Sequence, residues 1–556
     1  MILLIDTAGN RERALAALLA QGIEPVEVLE REDLQLRHPL ATWQRLRRVH
    51  PGRCYIFCRL IEAQFNRFPL KVLGALTGAR TIHFCDERKL GPGMTPARIL
   101  SRDFLLYLWH CAGALLAAFA FFVAYIALRL MVRSRKPALP QRSSAKRLCY
   151  IKTDFWRDLK AGGSVTHTRE FINAGCALDY EIDVFACDPL IHYGLKPNVQ
   201  VVEPVEGLYD LPILFSQMEY NLRFPLVVWK RLRGKPLDVI YQRHSSNNFS
   251  GVTLSVLLNA PFFLEHNSSS SWIAKNWSAQ RSARIPRLCE TLNLSGAYQI
   301  AVVSQALKQD LISVGVEPGK VVVNPNGVDP FRFGPHVDAS AVRNTLPSGK
   351  LLVGFIGIFG QWHGVLTLMR CVKQVIKACN NAHFIIIGDG ALKQQMLEIL
   401  RNEQMTEHVT FVGLIKHDLA PAYLNACDVL VSPHEDMADG STFFGSPTKI
   451  FEYMATGKGI VAGNVGQLTE LLEGEQDALL VEQKNDRELA AAIVRLLRDA
   501  KLRQRLGEAA RSKAVTNYTW EANFRRAIAL RKTQLQLSAP KGQSELASRI
   551  SQDEIA

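Results

Sequence analysis

Apolar residues in this chain gather into short unbroken runs separated by longer stretches of helical spacing, and the alternation repeats in three series. Unbroken runs mark strands buried on both faces, and strands that alternate with helices mark parallel sheets. The first series occupies residues 1–95. ILLID (2–6), PVEVLE (25–30), CYIFC (54–58) and TIHFC (81–85) read as strands, with RERALAALLAQG and AQFNRFPLKVLGALTGA as helical stretches among them. This predicts a small α/β unit. It carries no phosphate-binding loop, because DTAGNRERA has neither the glycine pattern nor the Lys-Ser/Thr pair.

The second series starts at Arg147 with LCYIK, EIDVFA, LDVIYQ, PFFLEH, IAVVS and KVVVNP. The third starts at Leu351 with LLVGFIG, HFIIIG, VTFVG, DVLVSP, GIVAG and ALLVE. Helices fall between these strands, among them Val365–Ala378, Ala391–Asn402, Pro447–Thr456 and Arg487–Asp499. Two such series predict two facing doubly wound domains, 147–335 and 345–515, joined by the linker DPFRFGPHVDASAVRNTLPSGK. A helix over 516–534 and a polar tail over 535–556 follow. Doubly wound sheets bind ligands beyond the carboxyl ends of their strands, so the cleft between the two domains is where chemistry is expected.

Between the first and second series the pattern breaks. Phe104 to Leu128, FLLYLWHCAGALLAAFAFFVAYIAL, is 25 residues without Asp, Glu, Lys or Arg. As a helix it is about 37 Å long, more than the ~30 Å hydrocarbon core of a bilayer. This predicts a membrane helix over 104–132 with a basic flank to 147. Arg129 to Arg147 holds seven basic residues and no acidic one, the composition of a cytoplasmic membrane boundary. Arg88, Lys89, Arg98 and Arg102 lie on the other side. Basic flanks at both ends leave two arrangements open, a span and a helix lying in the interface. A buried core helix is the plainer alternative. About 100 residues precede the segment, so it does not read as a signal peptide.

Composition adds mainly the sign of the charge. The 556 residues are 48% apolar and 21% charged, with a net charge of +14. Those are globular values, basic enough for nucleic acid, an anionic membrane face or phosphorylated small molecules. Because a block of the positive charge lies beside the apolar segment, a membrane is the expected partner and nucleic acid is not. Eleven cysteines are scattered along the chain. Cys54 and Cys58 would share a strand face, but no second pair stands near to complete a zinc site, and the pattern fits reduced thiols in a cytoplasm.

The clearest chemical signal is FFGSPTKIFEYMATGKGIVAG (443–463). Ser446 is a good N-cap, Pro447 a good first helical residue and Gly457 a natural stop. Lys449 then falls in the first turn, where the helix macrodipole makes a cation unfavourable by a few tenths to about 1 kcal/mol. A bound anion would reverse that sign. N–H groups from Thr448 onward and the Lys449 ammonium would donate to the same phosphate oxygens. Glu452, three residues on, shares that face and can accept hydrogen bonds from the vicinal hydroxyls of a ribose. Diphosphate plus ribose is a nucleotide. The competing reading is a local Lys449–Glu452 ion pair worth about half a kcal/mol.

SPTKIFEYMATGKGIVAGNVGQLTELLEG resembles the donor-binding segment of the retaining GT-B glycosyltransferases of family 4, the glycosyl transferases group 1. GGSVTHTREFINAG (162–175) resembles the glycine-rich loop of that family's first domain. AVVSQALKQDLISVGVEPGKVVVNPNGVD (301–329) resembles its last strands and the passage into the second domain. GFIGIFGQWHGV, IIIGDG and VTFVGLI follow in family order, and YTWEANFRRAI resembles the C-terminal helix that crosses back. The resemblance covers about residues 147 to 530. It implies two facing Rossmann-like domains in the GT-B arrangement, preceded here by a small α/β domain and a membrane-associated helix. It also implies a nucleotide-sugar as co-substrate, transfer with retention, and a leaving diphosphate that helps deprotonate the acceptor. No metal or other cofactor is expected, and the sequence has no Asp-x-Asp.

Under that resemblance, roles carry over by position. Gly162 and Gly163 let the backbone approach the donor phosphate, and Gly357 closes the first strand of the second domain. Gly388, Asp389 and Gly390 form a turn near the nucleotide. Gly413, Leu414 and Ile415 present backbone groups to the base. Ser446, Pro447 and Thr448 open the helix, Lys449 neutralises the diphosphate and Glu452 holds the ribose. His266 in FFLEHN matches the first-domain histidine near the reacting carbon, with Glu265 a second candidate and His167 a weaker one. The sequence also departs from the family pattern. Ile358 and His363 stand where many relatives have an arginine and a lysine, leaving His363 to contribute as a cation or a neutral donor. Phe444 stands where the first of two paired glutamates belongs, with Glu435 and Asp439 as substitutes.

The expectation is a membrane-associated enzyme with its catalytic domains on the cytoplasmic side. It would move a sugar to a lipid-linked or other saccharide acceptor in bacterial surface polysaccharide assembly, in company with other assembly proteins. Donor-sugar choice would lie in loops such as Pro433–Phe444. A catalytically silent scaffold of such an assembly and a nucleotide-sugar epimerase are the alternatives.

Overall fold

The computed structural model describes residues 2–529 other than 7–10, 26, 31–50, 59, 135–145, 156–158, 160–161, 271, 274–282, 438–439 and 441. The polar tail, Asp439 and much of the basic stretch after the apolar segment therefore lie outside the described residues. Apolar runs form the strands of three sheets, and within each sheet neighbouring strands pair in parallel. The first sheet holds β1 (Ile2–Asp6), β2 (Glu27–Glu30), β3 (Arg53–Phe57) and β4 (Thr81–Cys85) in the order β2-β1-β3-β4.

The second sheet holds β5 (Arg147–Lys152), β6 (Glu181–Ala186), β7 (Val199–Val201), β8 (Val239–Arg243), β9 (Phe262–His266), β10 (Gln299–Val302) and β11 (Val321–Val323), ordered β11-β10-β9-β8-β5-β6-β7. The third holds β12 (Leu351–Ile356), β13 (Ala382–Ile387), β14 (Val409–Gly413), β15 (Val429–Ser432), β16 (Gly459–Gly463) and β17 (Leu479–Val481), ordered β14-β13-β12-β15-β16-β17. The strand order reverses between β5 and β8 in one sheet and between β12 and β15 in the other. Such switch points open crevices at the strand ends. β7 has no counterpart in the sequence reading, because three half-buried edge residues are too short to show a period.

The apolar segment is one continuous helix, Phe104–Ser134, entered from Pro96 through a turn of π-helix at Ile99–Asp103. One face is seated on protein along its length. Near its start Tyr107 stacks on Phe68 of the first unit at 4.3 Å. His110 Nδ1 faces Asp210 at 3.4 Å. Ala114 packs with Leu208 and Leu211. Farther on, Phe121, Tyr125 and Leu128 join Phe224, Val228, Phe249 and Val252 in the core of the second sheet's domain.

At the other end of the chain the helix Trp520–Ile528 leaves the third sheet's domain and returns to the second's. Phe524 lies 4.9 Å from the Phe171 ring and 5.0 Å from Tyr180. Gly175 is what admits it, since a Cβ there would stand 2.5 Å from the Phe524 ring. We expect Phe524→Ala to cost about 3–5 kcal/mol, the usual price of emptying a buried aromatic site. In a thermal scan followed by fluorescence, the expected sign is a drop of several degrees in the transition of the second sheet's domain. An unchanged midpoint would mean that the helix does not anchor there.

Candidate functional site

The second-domain wall of the cleft is built from the strand ends at the β12/β15 switch point and from the helix Thr448–Thr456. The helix begins one residue later than its sequence predicts. Pro447 is the N-cap, and Ser446 does not cap. The Ser446 hydroxyl instead accepts the Asn326 N–H at 3.1 Å, and its carbonyl accepts the Asn326 side-chain amide at 2.6 Å. A partner 120 residues away in the sequence has drawn it off the helix end.

Lys449 runs beneath the turn that follows β12. Gly357 has φ 151°, a conformation that favours glycine, and a Cβ there would meet the ammonium at 2.7 Å. The ammonium stands 4.1 Å over the Phe355 ring. It is buried and makes no hydrogen bond among the described residues. Burial pushes its pKa down to about 7, against a smaller opposing effect from Glu452. The local Lys449–Glu452 ion pair is not formed. Glu452 faces Nε2 of His417 at 3.6 Å. Arg332 and Arg169 approach the other nitrogen of His417 at 2.6 and 3.4 Å. Nδ1 is therefore the acceptor and Nε2 carries the hydrogen.

Two histidines share this pocket. His363 and His434 stand edge to face, 5.2 Å between ring centroids. Burial first, and then the Lys449 charge, holds His363 down at about 2 and His434 well below its ordinary value. His363 is thus a neutral group and not the cation its position left open. The Ser432 hydroxyl lies 2.9 Å from Nδ1 of His434, while Nε2 of His434 and Nδ1 of His363 have no hydrogen-bond partner among the described residues. The pocket gathers one buried ammonium and two neutral imidazoles with unused nitrogens. Such a group lacks an acceptor of several hydrogen bonds, which is what a phosphate supplies.

The adjoining turns pack closely. Phe359 N–H donates to the Asp389 carbonyl at 3.0 Å and Gly388 N–H to the Gly413 carbonyl at 2.9 Å. A Cβ on Gly390 would meet the Phe359 backbone at 2.7 Å. Asp389 is exposed and its carboxylate accepts the Gly390 N–H at 2.8 Å. Leu414 is exposed, between half-buried Gly413 and Ile415. Ile358 is exposed too. Glu435 accepts a 2.6 Å hydrogen bond from Thr367, so it serves the loop. Phe444 packs edge-on against Trp272 of the opposite domain, 5.1 Å between centroids.

On the first-domain wall, Gly162 and Gly163 are exposed, and Gly162 has φ 118°. Gly163 looks across at Thr448, whose hydroxyl would lie 3.9 Å from an added Cβ. Behind them runs a chain of polar contacts between the domains. Nε2 of His167 faces Glu265 at 3.1 Å and its Nδ1 lies 2.7 Å from the Asn326 side-chain oxygen. Asn326 in turn grips Ser446. Burial works against charge on Glu265, yet His167 and Arg243 hold its pKa at about 2.

Neither Glu265 nor His266 opens to the cleft. Glu265 is buried and committed to His167, Arg243, Tyr241 and Asn267. His266 is fully buried, its Nε2 held 2.8 Å from Glu290. Their expected contact with the reacting carbon is therefore corrected, since β9 is central in its sheet and both its faces are covered. His244, His266 and Glu290 offer atoms within 4.8 Å of one another, the spacing of a metal site. Glu290 already accepts from the Ser270 N–H at 3.0 Å as well as facing His266, which makes the group a hydrogen-bonded cluster. The sequence reading gave no role to His434, His417, Arg332 or Asn326. His434 alone left a signal, coming directly after a strand in a domain whose ligands bind at strand ends.

Two family profiles match the chain: Glycosyltransferase Family 4 over residues 161–332 and Glycosyl transferases group 1 over residues 350–499, together more than half of it. The chain belongs to the family 4, or group 1, glycosyltransferases. These are retaining enzymes of the GT-B fold that use nucleotide-sugar donors and generally need no metal. The glycosyltransferase is 23% identical over 290 residues to an uncharacterized glycosyltransferase of Methanocaldococcus jannaschii, covering 51% of this chain and 72% of the relative. It is 26% identical over 199 residues to a GDP-mannose-dependent alpha-(1-6)-phosphatidylinositol monomannoside mannosyltransferase of Mycobacterium tuberculosis, covering 35% of this chain and 52% of that protein. It thus spans about half the length of that relative. Among solved structures, sucrose-phosphate synthase of Thermosynechococcus elongatus superimposes with a TM-score of 0.53 at 21% identity, over 71% of this chain and all of the other. HepE of Anabaena, solved with UDP and glucose, gives 0.53 at 18% identity, over 71% of this chain and 99% of its own. Both likenesses establish the fold.

A buried amine that titrates near neutrality gives a measurable signature. Its folded pKa of about 7 lies below the ordinary 10.5. Between those values the unfolded chain binds more protons, so this group makes stability rise with pH across that window. A bound diphosphate would restore the proton and remove the slope. At pH 8 we expect binding of the cognate nucleoside diphosphate to take up close to one proton on Lys449, read by calorimetry in buffers of different ionisation heat. Lys449→Ala should bind weakly and without that uptake. Buffer-independent heats from wild type would show that the ligand does not meet this ammonium.

Proposed function

We propose that this glycosyltransferase moves a sugar from a nucleoside-diphosphate sugar to a lipid-linked saccharide at the cytoplasmic face of a membrane, in bacterial surface polysaccharide assembly. The donor half of the reading rests on the unpaired Lys449 ammonium at a helix N-terminus, with Glu452 one turn farther along. The N–H groups of the first turn and Lys449 receive the diphosphate, with His363 and His434 as neutral donors to its oxygens. Glu452 accepts the ribose hydroxyls, and the Gly413–Ile415 backbone meets the base. Gly162 and Gly163 close over the phosphate from the other domain. As the sugar–phosphate bond breaks, negative charge grows on the leaving oxygens, and fixed donors aimed there stabilise it.

The acceptor half rests on the long helix, whose outer face is apolar and exposed. A relative whose name specifies a phosphatidylinositol mannoside acceptor supports a lipid acceptor without specifying one here.

Thermal shifts with UDP, GDP, ADP and CMP should single out one nucleotide. The matching radiolabelled nucleotide-sugars, given to membranes that carry the protein, should then label an organic extract. Lys449→Ala should lower turnover by about 10²–10³-fold. Nucleotide binding with no transfer to any extractable or polymeric acceptor would leave a silent scaffold. Conversion of the donor without an acceptor would identify an epimerase.

A further inference from the structure

The helix Phe104–Ser134 has two apolar faces with different fates. Tyr107, Ala114, Phe121, Tyr125 and Leu128 point to one side and are seated on the protein. Trp109, Leu116, Phe119, Ile126 and Leu130 recur at helical spacing on the other side, with exposures of 76%, 71%, 71%, 56% and 60%. The exposed stripe runs from Trp109 to Leu130, about 33 Å of the helix.

The seated face decides the orientation. Its partner over much of that length is the helix Ile213–Leu232, which carries Glu219, Arg223, Lys230 and Arg231. Were the apolar helix to cross a bilayer, that neighbour would enter the hydrocarbon with its four charges and the sheet behind it. Each charge would cost several kcal/mol, by the ~2.5–3.5 kcal/mol scale for a centred Arg, Lys or Asp. A helix lying in the bilayer plane carries no such cost and still buries its exposed stripe.

Charge identifies the covering surface. Arg102, Arg129 and Arg133 are exposed on or beside the helix, near its two ends. No acidic residue occurs between Asp103 and Asp154. An apolar stripe with basic ends and no acids matches an anionic lipid leaflet, with the arginines among the headgroups and Trp109 at the boundary.

We infer that this helix is an in-plane membrane anchor, built into the acceptor-side domain, that holds both of its ends on the same side of the bilayer. The inference rests on the membrane reading proposed above and adds its geometry. Leu116, Phe119 and Leu130 enter the leaflet, and the helix does not cross it. The second sheet's domain is fixed against the surface, while the third sheet's domain reaches it only through the cleft.

Single cysteines at Ser101 and Ser134, both exposed, test this in membranes that carry the full chain. A membrane-impermeant maleimide is applied to intact spheroplasts and to inverted vesicles, with labelling of the unaltered chain subtracted. Labelling of both sites in inverted vesicles and of neither in spheroplasts is the expected result. Labelling of the two sites from opposite sides would overturn the in-plane anchor and leave the membrane reading standing. Flotation with phosphatidylcholine vesicles, with and without phosphatidylglycerol, tests the surface itself. The Leu116→Glu, Phe119→Glu double variant should float at least tenfold less, while its thermal shift with the cognate nucleotide stays unchanged. Wild-type protein that fails to float, or that covers the stripe with a second copy in sedimentation, would overturn both the inference and the membrane half of the proposed function.

Discussion

An ammonium enclosed by protein with no counter-ion is an expensive arrangement, and the organisation of the third sheet's domain turns on one. Lys449 has been placed under Gly357, against an aromatic face, at the helix end whose dipole repels it. The surrounding groups do not make up the missing negative charge. His363 and His434 are kept neutral with nitrogens unused, and the carboxylate of Glu452 is turned toward His417. The wall of the cleft therefore holds a buried ammonium and imidazole nitrogens that no group among the described residues satisfies. The two imidazoles stand in the same pocket as Lys449, so loss of the usual cations at 358 and 363 does not empty it.

The opposite wall is organised by saturation. Glu265 is ionised in the interior because His167, Arg243 and neighbouring donors satisfy it. Through His167 and Asn326 that order passes to Ser446, the residue before the N-cap of the Lys449 helix. The polar groups that join the domains thus fix the helix whose N-terminus faces the cleft. Charge that is spent on positioning stands on one side, and charge that is unspent stands on the other.

Much of this architecture was legible in the chain. Unbroken apolar runs with turns at their ends specify parallel strands through local physics, and the sheets follow them. The helix that carries Lys449 was legible, to within one residue at its start, because its proline and glycine boundaries act within a few residues. What escaped depends on distance. Ser446 has the chemistry of an N-cap, but Asn326 competes for it from far along the chain. His434 gains its meaning from His363, and only the adjacency of β12 and β15 brings the two together. Glu265 and His266 sit at a strand end as a ligand-binding pair would, yet residues on a central strand point into covered faces. The apolar helix was legible in composition as one long uncharged run. Its seat on the neighbouring helix, which sets its orientation, is a tertiary fact.

The chain passes between the two large domains twice, and the passages touch. Val328 donates its N–H to the Tyr518 carbonyl at 2.8 Å and bridges Thr519 in parallel. Gly327 lies so near that a Cβ would meet the Thr519 backbone at 2.9 Å. Two connectors laid side by side act as a single pivot. They tie the two domains along one line beside the cleft, about which a change in their relative angle would turn.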